Sequence, residues 1–384
     1  MLPVPSLIPF AADRPADFGM LVLACALVTL VSGLLIILGR RPLSRLMRAR
    51  DDARAVQASH VGDPLRLGGV AIFAGLLAGA ALADWQNAAL PLLLILSAGP
   101  AFLAGLGEDL GFCVPPLRRL LAAAVSAGLA VLLLGVWVTR ADLPGLDQVM
   151  AFAPAAVLLT VALSGGFCHS TNLVDGMHGL ATTVILAAAV GLMLLAQDAG
   201  DRDLALVAAV LGAAMVGFLV LNWPFGTVFM GDAGSYGVGH VLIWIGILLA
   251  WRVPDIAIPA LLLILFWPFA DTFHSITRRL ARRAPVFEPD RMHLHQKLRR
   301  CIEIVFLGGA RRRLSNPLAT LCLAPMIVMP VVAGVLLAGD ARAAWASLVA
   351  FSVLFGVTNV LVTRFACARR RRFRPMSARL THAE

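Results

Sequence analysis

Residues 222–235 read Asn-Trp-Pro-Phe-Gly-Thr-Val-Phe-Met-Gly-Asp-Ala-Gly-Ser and form a short predicted turn between two long apolar runs. The only carboxylate of this turn, Asp232, lies among glycines at 231, 234 and 237, where the backbone bends freely and a ligand can approach closely. Asp232 is near the end of a predicted membrane span, where an unpaired acid is costly enough to indicate a function. Such a carboxylate suits a divalent cation that also contacts phosphate oxygens. The alternative is a surface turn whose acid faces water.

The composition of the whole chain predicts a membrane protein. Of its 384 residues 60% are hydrophobic, and the mean hydropathy is +0.87. One soluble core cannot bury so much apolar surface, and the apolar runs are long enough to cross a bilayer, so we predict an all-α polytopic fold. The first run is expected to be a retained helix, because one basic residue, Arg14, precedes it. About eleven transmembrane helices are predicted, at 18–38, 68–83, 90–107, 120–138, 149–166, 179–196, 204–221, 237–251, 256–273, 318–338 and 343–363.

The distribution of basic residues predicts the orientation. If the N-terminus is external, 27 of the 32 Lys and Arg residues fall in cytoplasmic segments. This asymmetry favours an external segment 1–17, a transmembrane domain 18–363 and a basic cytoplasmic tail 364–384. It also explains the net charge of +10 without nucleic acid, and Arg369–Arg372 is expected to bind anionic lipid headgroups. The predicted external connections are short, so we expect the chemistry on the cytoplasmic face.

The first two cytoplasmic loops each carry a motif with two interpretations. Loop 39–67 contains His60, and Gly68-Gly69 follow at the entry to the second helix, where glycine permits either close helix packing or a nearby ligand. Packing is the preferred interpretation there. Loop 108–119 begins with Glu108-Asp109, and adjacent acids at a membrane edge repel unless a cation or a proton separates them. The alternative for this pair is a solvated helix end.

The third loop combines polar residues with glycines. Asn172 and Asp175 are three residues apart, so they share a face on a helical turn, and His178 follows. A helix cap at Asn172 or Asp175 would account for one polar residue, but not for three beside two glycines.

The fifth loop carries a histidine pair. His293 and His295 do not have the i, i+4 spacing of a helical zinc pair. With Arg291 and Lys297 they instead indicate a group of donors for phosphate oxygens. The alternative is a plain basic juxtamembrane loop.

Taken together, four motifs in fixed order resemble a known family. GLGEDL (105–110), NLVDGMHGL (172–180), VFMGDAGS (228–235) and PDRMHLHQ (289–296) resemble the polyprenyl-phosphate N-acetylhexosamine-1-phosphate transferases. That family includes the enzymes that initiate O-antigen, enterobacterial common antigen and teichoic acid synthesis, and the peptidoglycan lipid I synthase. The resemblance covers about residues 18–363. It implies transfer of a sugar 1-phosphate from a UDP-sugar, such as UDP-GlcNAc, to undecaprenyl phosphate with release of UMP, at the start of cell-surface glycan or lipopolysaccharide biosynthesis.

The resemblance also implies roles for individual residues. Asp232, with Asn172, would bind Mg²⁺, with Mn²⁺ as the alternative, and Asp109, beside Glu108, would handle the lipid phosphate or its proton. Phe229 would stack on uracil, and Asp175 would shape the nucleoside pocket. The remaining matches are the diphosphate-binding His293, His295 and Arg291 and, more weakly, the first-loop residues His60, Gly68 and Gly69.

Two departures from the family pattern concern the choice of substrate. The paired acids are Glu108-Asp109 rather than two aspartates, and His178 replaces the second acid of the usual DGxDG. Some O-antigen-type members share both features, whereas the lipid I synthase, phospho-N-acetylmuramoyl-pentapeptide transferase, usually has Asp there. The rival classes are a lipid-linked sugar transporter or flippase and a membrane scaffold with degenerate motifs. The expected partners are the UDP-sugar, the polyprenyl phosphate and membrane lipids, and a homodimer is compatible with the sequence.

Overall fold

The computed structural model of the chain describes residues 15–41, 65–285, 292–307, 311 and 314–372. Each of the eleven predicted runs contains helix, and within the described residues the only β-structure is an isolated bridge between Leu65 and Val228. This confirms the predicted all-α class. The helices are α1 (Pro15–Leu38), α2 (Gly68–Leu82), α3 (Ala89–Asp109), α4 (Pro116–Leu134), α5 (Leu146–Met150), α6 (Ala153–Val174), α7 (Leu180–Asp198), α8 (Arg202–Asn222), α9 (Gly231–Arg252), α10 (Ile258–Ile264), α11 (Phe266–Ala281), α12 (Leu294–Ile302), α13 (Ser315–Leu336) and α14 (Ala341–Arg372).

The number of long spans is lower than the predicted eleven. Among the described helices, nine are long and apolar enough to cross a membrane, and α10 with α11 make a tenth if a chain bent by 86° is counted as one span. Helix α2 has only 15 residues, but it still connects the two ends of the bundle. At one end Gly68 N donates to Phe229 O, and just after the other end Gln86 N donates to Asp203 Oδ1.

Helix α9 lies at the centre of the bundle and is almost entirely buried. Glycines on two neighbouring helices let it pack closely. A Cβ on Gly69 would lie 2.2 Å from the backbone N of Gly234, and a Cβ on Gly105 would lie 2.5 Å from backbone atoms of Asp232. No larger residue fits at such backbone contacts without displacing a helix. The packing interpretation of Gly69 is therefore confirmed.

The loops segregate to two ends of the bundle as the orientation analysis requires. Hydrogen bonds join the segments around residues 65–69, 109, 172–178, 228–233 and 316 at one end. At the other end, Asp203 accepts hydrogen bonds from the backbone N–H groups of Gln86 and Asn87. At the same end, Arg140 Nη2 donates 2.7 Å hydrogen bonds to the carbonyls of Pro254 and Ile256. The motif-bearing loops thus share one face. Which side of a membrane that face occupies stays a prediction.

Candidate active site

The first turn of α9 is the frame of the site, because it gathers carboxylates from two other loops. Asp109 accepts hydrogen bonds from the backbone N–H groups of Asp232, at 2.9 Å, and Ala233, at 2.8 Å. Asp175 accepts one from Gly231 N at 2.8 Å. The first N–H groups of a helix have no partner within the helix, and they form its positive end. Two acids from distant parts of the sequence therefore hold this helix terminus in place.

Glycine is required where α9 begins. Gly231 has a φ of +75°, in the left-handed region, and a Cβ there would lie 1.9 Å from the carbonyl oxygen of Arg66. Beside it, Phe229 N donates to Leu65 O at 2.8 Å and Gly69 N donates to Met230 O at 2.8 Å. The end of the first loop therefore runs alongside the residues that enter α9.

The side chain of Asp232 is buried within a polar group. Asn172 Nδ2 donates to Asp232 Oδ1 at 2.9 Å and to Ser235 Oγ at 2.8 Å. The guanidinium of Arg119, in the first turn of α4, forms an ion pair with Asp232 Oδ2. Arg119 was not among the residues predicted for the site. The available signal was the basic pair Arg118-Arg119 at the far end of the loop that begins with the acid pair.

Asp232 has features that suit a hard cation. Its Oδ2 atom is buried and has no hydrogen-bond partner apart from the ion pair with Arg119. An anionic oxygen of this kind suits Mg²⁺ or Mn²⁺. Within the described residues no group of three His, Cys, Asp or Glu side chains is arranged to hold a metal by itself. A cation here would therefore need further oxygens, such as those of a bound diphosphate.

The carboxylates of Glu108 and Asp109 both accept hydrogen bonds from backbone amides. Glu108, 6% exposed, accepts a 2.5 Å bond from Val114 N, while Asp109, 2% exposed, accepts the two α9 amides. Amide dipoles thus offset part of the repulsion for which the sequence analysis had invoked a cation or a proton. These hydrogen bonds do not show how Glu108 or Asp109 acts on a substrate, so their roles toward the lipid phosphate stay predictions.

Asp175 has an altered acidity. Desolvation raises the pKa of Asp175 to about 6, although the hydrogen bond from Gly231 N and the charge of Arg66 oppose the shift. The side chain is only half-buried, so it lies at the edge of the group around α9. A carboxyl that titrates near neutral pH is typical of functional sites.

His178 is held by both its ring and its backbone. Its Nδ1 lies 2.7 Å from Pro224 O, and because a carbonyl only accepts, Nδ1 carries the hydrogen. Asn316 Oδ1 accepts from His178 N at 2.9 Å. Burial lowers the pKa of the imidazole, and so does the charge of Arg299, while the Pro224 carbonyl opposes the shift. The ring is therefore neutral, and Nε2 presents a lone pair.

Phe229 lies next to His178 but offers little free surface. The two rings meet edge to face with centroids 5.8 Å apart, and Phe229 is 4% exposed. Stacking on a base, as the resemblance implies, would need the ring to become more exposed than it is in this conformation.

His293 and His295 of the fifth loop contact Asp271, which was not among the predicted site residues. His293 Nδ1 lies 2.9 Å from Asp271 Oδ2, and His295 Nδ1 lies 3.6 Å from the same oxygen. The imidazoles are stacked with centroids 5.5 Å apart, and all three side chains are buried. Burial lowers the pKa of His295 to about 4. Two further predicted site residues, His60 and Arg291, lie outside the described residues.

Comparisons with known proteins agree with the resemblance. The family described as "Glycosyl transferase family 4" matches residues 91–250. The chain is 30% identical to a decaprenyl-phosphate N-acetylglucosaminephosphotransferase of Mycobacterium tuberculosis, over 72% of this chain and 78% of the relative. It is 27% identical to a probable undecaprenyl-phosphate N-acetylglucosaminyl 1-phosphate transferase of Bacillus subtilis, and 27% to the undecaprenyl-phosphate alpha-N-acetylglucosaminyl 1-phosphate transferase of Escherichia coli. Each of these two matches covers 61% of this chain and 65% of the relative.

Proposed function

The chain belongs to glycosyl transferase family 4, the polyprenyl-phosphate sugar phosphotransferases, and from this premise we propose its reaction. It transfers an N-acetylhexosamine 1-phosphate from a UDP-sugar to a polyprenyl phosphate, yielding a polyprenyl-diphosphate sugar and UMP. UDP-GlcNAc is the proposed donor, because the similar proteins of M. tuberculosis, B. subtilis and E. coli are all named for N-acetylglucosamine. We further propose that the product starts a bacterial cell-surface glycan, such as an O-antigen, with the site on the cytoplasmic face of the inner membrane.

The observation that carries this proposal is the polar group at the first turn of α9. In the reaction a phosphate oxygen of the lipid attacks phosphorus of the donor, so two anions must meet. Arg119, the helix terminus and a cation at Asp232 supply positive charge for that encounter. The group lies at the end of several membrane spans, where a lipid phosphate arrives in the plane of the headgroups.

A divalent cation is part of the proposal. Mg²⁺ bound by Asp232 would neutralise the charge of the donor diphosphate as the bond to UMP breaks. Asn172 fixes the carboxylate through its Nδ2 hydrogen bond, and its amide oxygen is a candidate second ligand. Arg119 pairs with the same carboxylate and has to move aside, fully or in part, when the cation binds.

The remaining site residues take the roles that the resemblance implies. Asp175, His178 and Phe229 bind the nucleoside, and the histidine pair with Arg291 binds diphosphate oxygens. Asp109 acts beside the lipid phosphate, with Glu108 as its neighbour in the same turn.

The proposal is tested by transfer of radiolabel from UDP-sugars to extractable lipid in membranes that contain the protein. We expect transfer from UDP-GlcNAc, or from a second UDP-N-acetylhexosamine, with equimolar UMP. UDP-N-acetylmuramoyl-pentapeptide serves as the competing donor, because the chain is also 34% identical to a phospho-N-acetylmuramoyl-pentapeptide-transferase of Anoxybacillus flavithermus over 29% of this chain and 34% of the relative. Label transfer from that donor alone would identify a lipid I synthase. Movement of preformed lipid-linked sugar without UMP release would identify a transporter.

The transporter alternative predicts ionisable residues inside the spans and inverted repeats. The sequence shows no convincing internal repeat. His240 is a buried ionisable residue within α9, and its Nε2 is 2.9 Å from Ser97 Oγ, so helix packing accounts for it. The acids with substrate roles lie instead at the helix ends described above, which supports a transferase.

A further inference from the structure

Asp271 lies at the N-terminal end of α12 and contacts both histidines, although it belongs to α11. Its Oδ2 atom is 2.9 Å from His293 Nδ1 and 3.6 Å from His295 Nδ1, and the backbone N–H of Leu294 is a further hydrogen-bond donor to the carboxylate. Its side chain is 2% exposed. A buried carboxylate is costly unless a positive group and hydrogen bonds compensate it, so this arrangement requires a charged partner.

The two histidines differ in their ability to supply that charge. His295 is fully buried with a pKa lowered to about 4, so it is neutral at physiological pH. His293 makes the shorter contact with the carboxylate, through Nδ1. The positive charge that Asp271 needs therefore falls to His293, and His295 stacks against that ring as a neutral imidazole.

We propose that Asp271 is a positioning residue that holds His293 as an imidazolium, with Nδ1–H directed to the carboxylate, so that the positive ring attracts the phosphate oxygens of the substrate. A cationic donor in a buried position is a stronger phosphate ligand than a neutral imidazole. The carboxylate fixes the ring through Nδ1, in the way that second partners orient metal-binding and catalytic histidines. This inference rests on the proposed function for the identity of the ligand, but not for the Asp271–His293 pairing itself.

Other charges near the pair oppose the protonation of His293. Arg278, on α11, donates a 2.6 Å hydrogen bond to the carbonyl of Met292, the residue before His293. The charges of Arg278, of Lys297 on α12 and of His293 itself all act on His274, so these groups form one positive cluster. The carboxylate of Asp271 outweighs them because it is in direct contact with the ring. Removing that negative charge should therefore lower the pKa of His293. The alkaline limb of the rate profile should then move to lower pH, because the active form is the protonated one.

The test compares Asp271→Asn with the control Asp203→Asn. An asparagine oxygen can still accept from His293 Nδ1, so the variant removes charge while keeping the shape of the contact. Asp203 is also a buried carboxylate, but it accepts Gln86 N and Asn87 N at the opposite end of the bundle. We expect Asp271→Asn to lower kcat/KM by about 10- to 100-fold, with an acid-shifted alkaline limb. Asp203→Asn should lower stability alone.

A double-mutant cycle separates positioning from general structural damage. If Asp271 acts through His293, Asp271→Asn should have no further effect in a His293→Gln background. Additive losses, or a normal alkaline limb in a folded Asp271→Asn protein, would overturn the proposal.

The second measurement needs no turnover. Nitrogen-15 NMR of labelled histidines in the intact protein should show a doubly protonated ring in the wild type that becomes neutral in Asp271→Asn at the same pH. A neutral His293 in the wild type would refute the pairing even if transfer is confirmed. A charged His293 in a protein that transfers no sugar phosphate would support the pairing and refute the proposed function.

Discussion

At the scale of single residues, Asp109 combines a predicted role toward substrate with an observed role toward the protein. It accepts the N–H groups of Asp232 and Ala233, so Asp109→Asn removes a charge from the helix terminus and leaves one of these donors facing an amide NH₂. An unsatisfied buried donor costs about 1–3 kcal/mol. We expect transfer to be abolished and the melting temperature to fall, as measured by the radiolabel assay and thermal unfolding.

The control for this change is Asp147→Asn. Asp147 likewise accepts two backbone amides, those of Ala141 and Leu143, but at the other end of the bundle. It should lose stability and retain transfer. Near-normal turnover in a folded Asp109→Asn protein would remove Asp109 from its predicted role toward the substrate.

Asp232 carries the cation prediction. Asp232→Asn keeps the size of the side chain but removes the charge that pairs with Arg119 and would bind Mg²⁺. Metal affinity and turnover should fall together, and excess Mg²⁺ should restore part of the activity if Asn172 still contacts the ion. The measurement is transfer rate against Mg²⁺ concentration for both proteins in the same lipid. Superimposable curves would mean that Asp232 is only a turn residue.

His178 belongs to the proposed nucleoside edge. The ring presents the lone pair of Nε2, so His178→Ala removes an acceptor, and we expect KM for the UDP-sugar to rise more than kcat falls. His178→Asp supplies another acceptor and should retain more of the affinity than alanine does. An unchanged KM with a collapsed kcat would instead place His178 at the reacting phosphates.

At the scale of helices, the contact between α3 and α9 sets the position of Asp232. A methyl group at Gly105 would lie 2.5 Å from backbone atoms of Asp232 and Ala233, which cannot rotate away as a side chain can. Gly105→Ala should therefore cost about 1–3 kcal/mol and displace the carboxylate, so activity and thermal stability should both fall. Gly99→Ala is the control on the same helix, because no atom lies within 4 Å of its added Cβ. Equal behaviour of the two variants would contradict this account of the packing.

The same helices show what could and could not be predicted from the sequence. Long apolar runs identified every span, because burial in lipid depends on local composition. The predicted run 237–251 is short for a span, and the helix extends into the preceding loop. It begins at Gly231, because Asp109, 123 residues earlier than Asp232, satisfies its first amides. Asp271 was missed because it lies inside the predicted apolar run 256–273. An ionisable residue within such a run was the signal available for it.

The sequence predicted which residues form the site better than it predicted how these residues contact one another. The motif-bearing loops were predicted to lie on one face, and four of their residues do come together: Asp109, Asn172, Asp175 and Asp232. The sequence could not show that Asn172 donates a hydrogen bond to Asp232 or that the ring of Phe229 is buried. Both depend on how loops that are distant in the sequence pack together. The parts of the first and fifth loops that carry His60 and Arg291 lie outside the described residues, so those assignments stay predictions.

At the scale of the whole molecule, the remaining question is which end of the bundle faces the cytoplasm. The motif-bearing loops share one end, and the two basic loops and the tail carry most of the Lys and Arg residues. Basic loops are retained on the cytoplasmic side, so this end should be cytoplasmic, where UDP-sugars are made. The opposite end has short connections held by Arg140 and Asp203 and offers no comparable polar group among the described residues.

Single cysteines at positions 140 and 372 test this orientation in a background without the native cysteines. A membrane-impermeant thiol reagent applied to intact cells should label position 140, which lies at the predicted external end, and not position 372, at the end of α14. Permeabilised cells should show labelling at both, which controls for reactivity. Successive membrane spans run in opposite directions, so an inverted orientation would place the site on the outer face and deprive it of its donor. Labelling of both positions from the same side would show that the chain crosses the membrane an even number of times between them, and the catalytic topology proposed above would then be wrong.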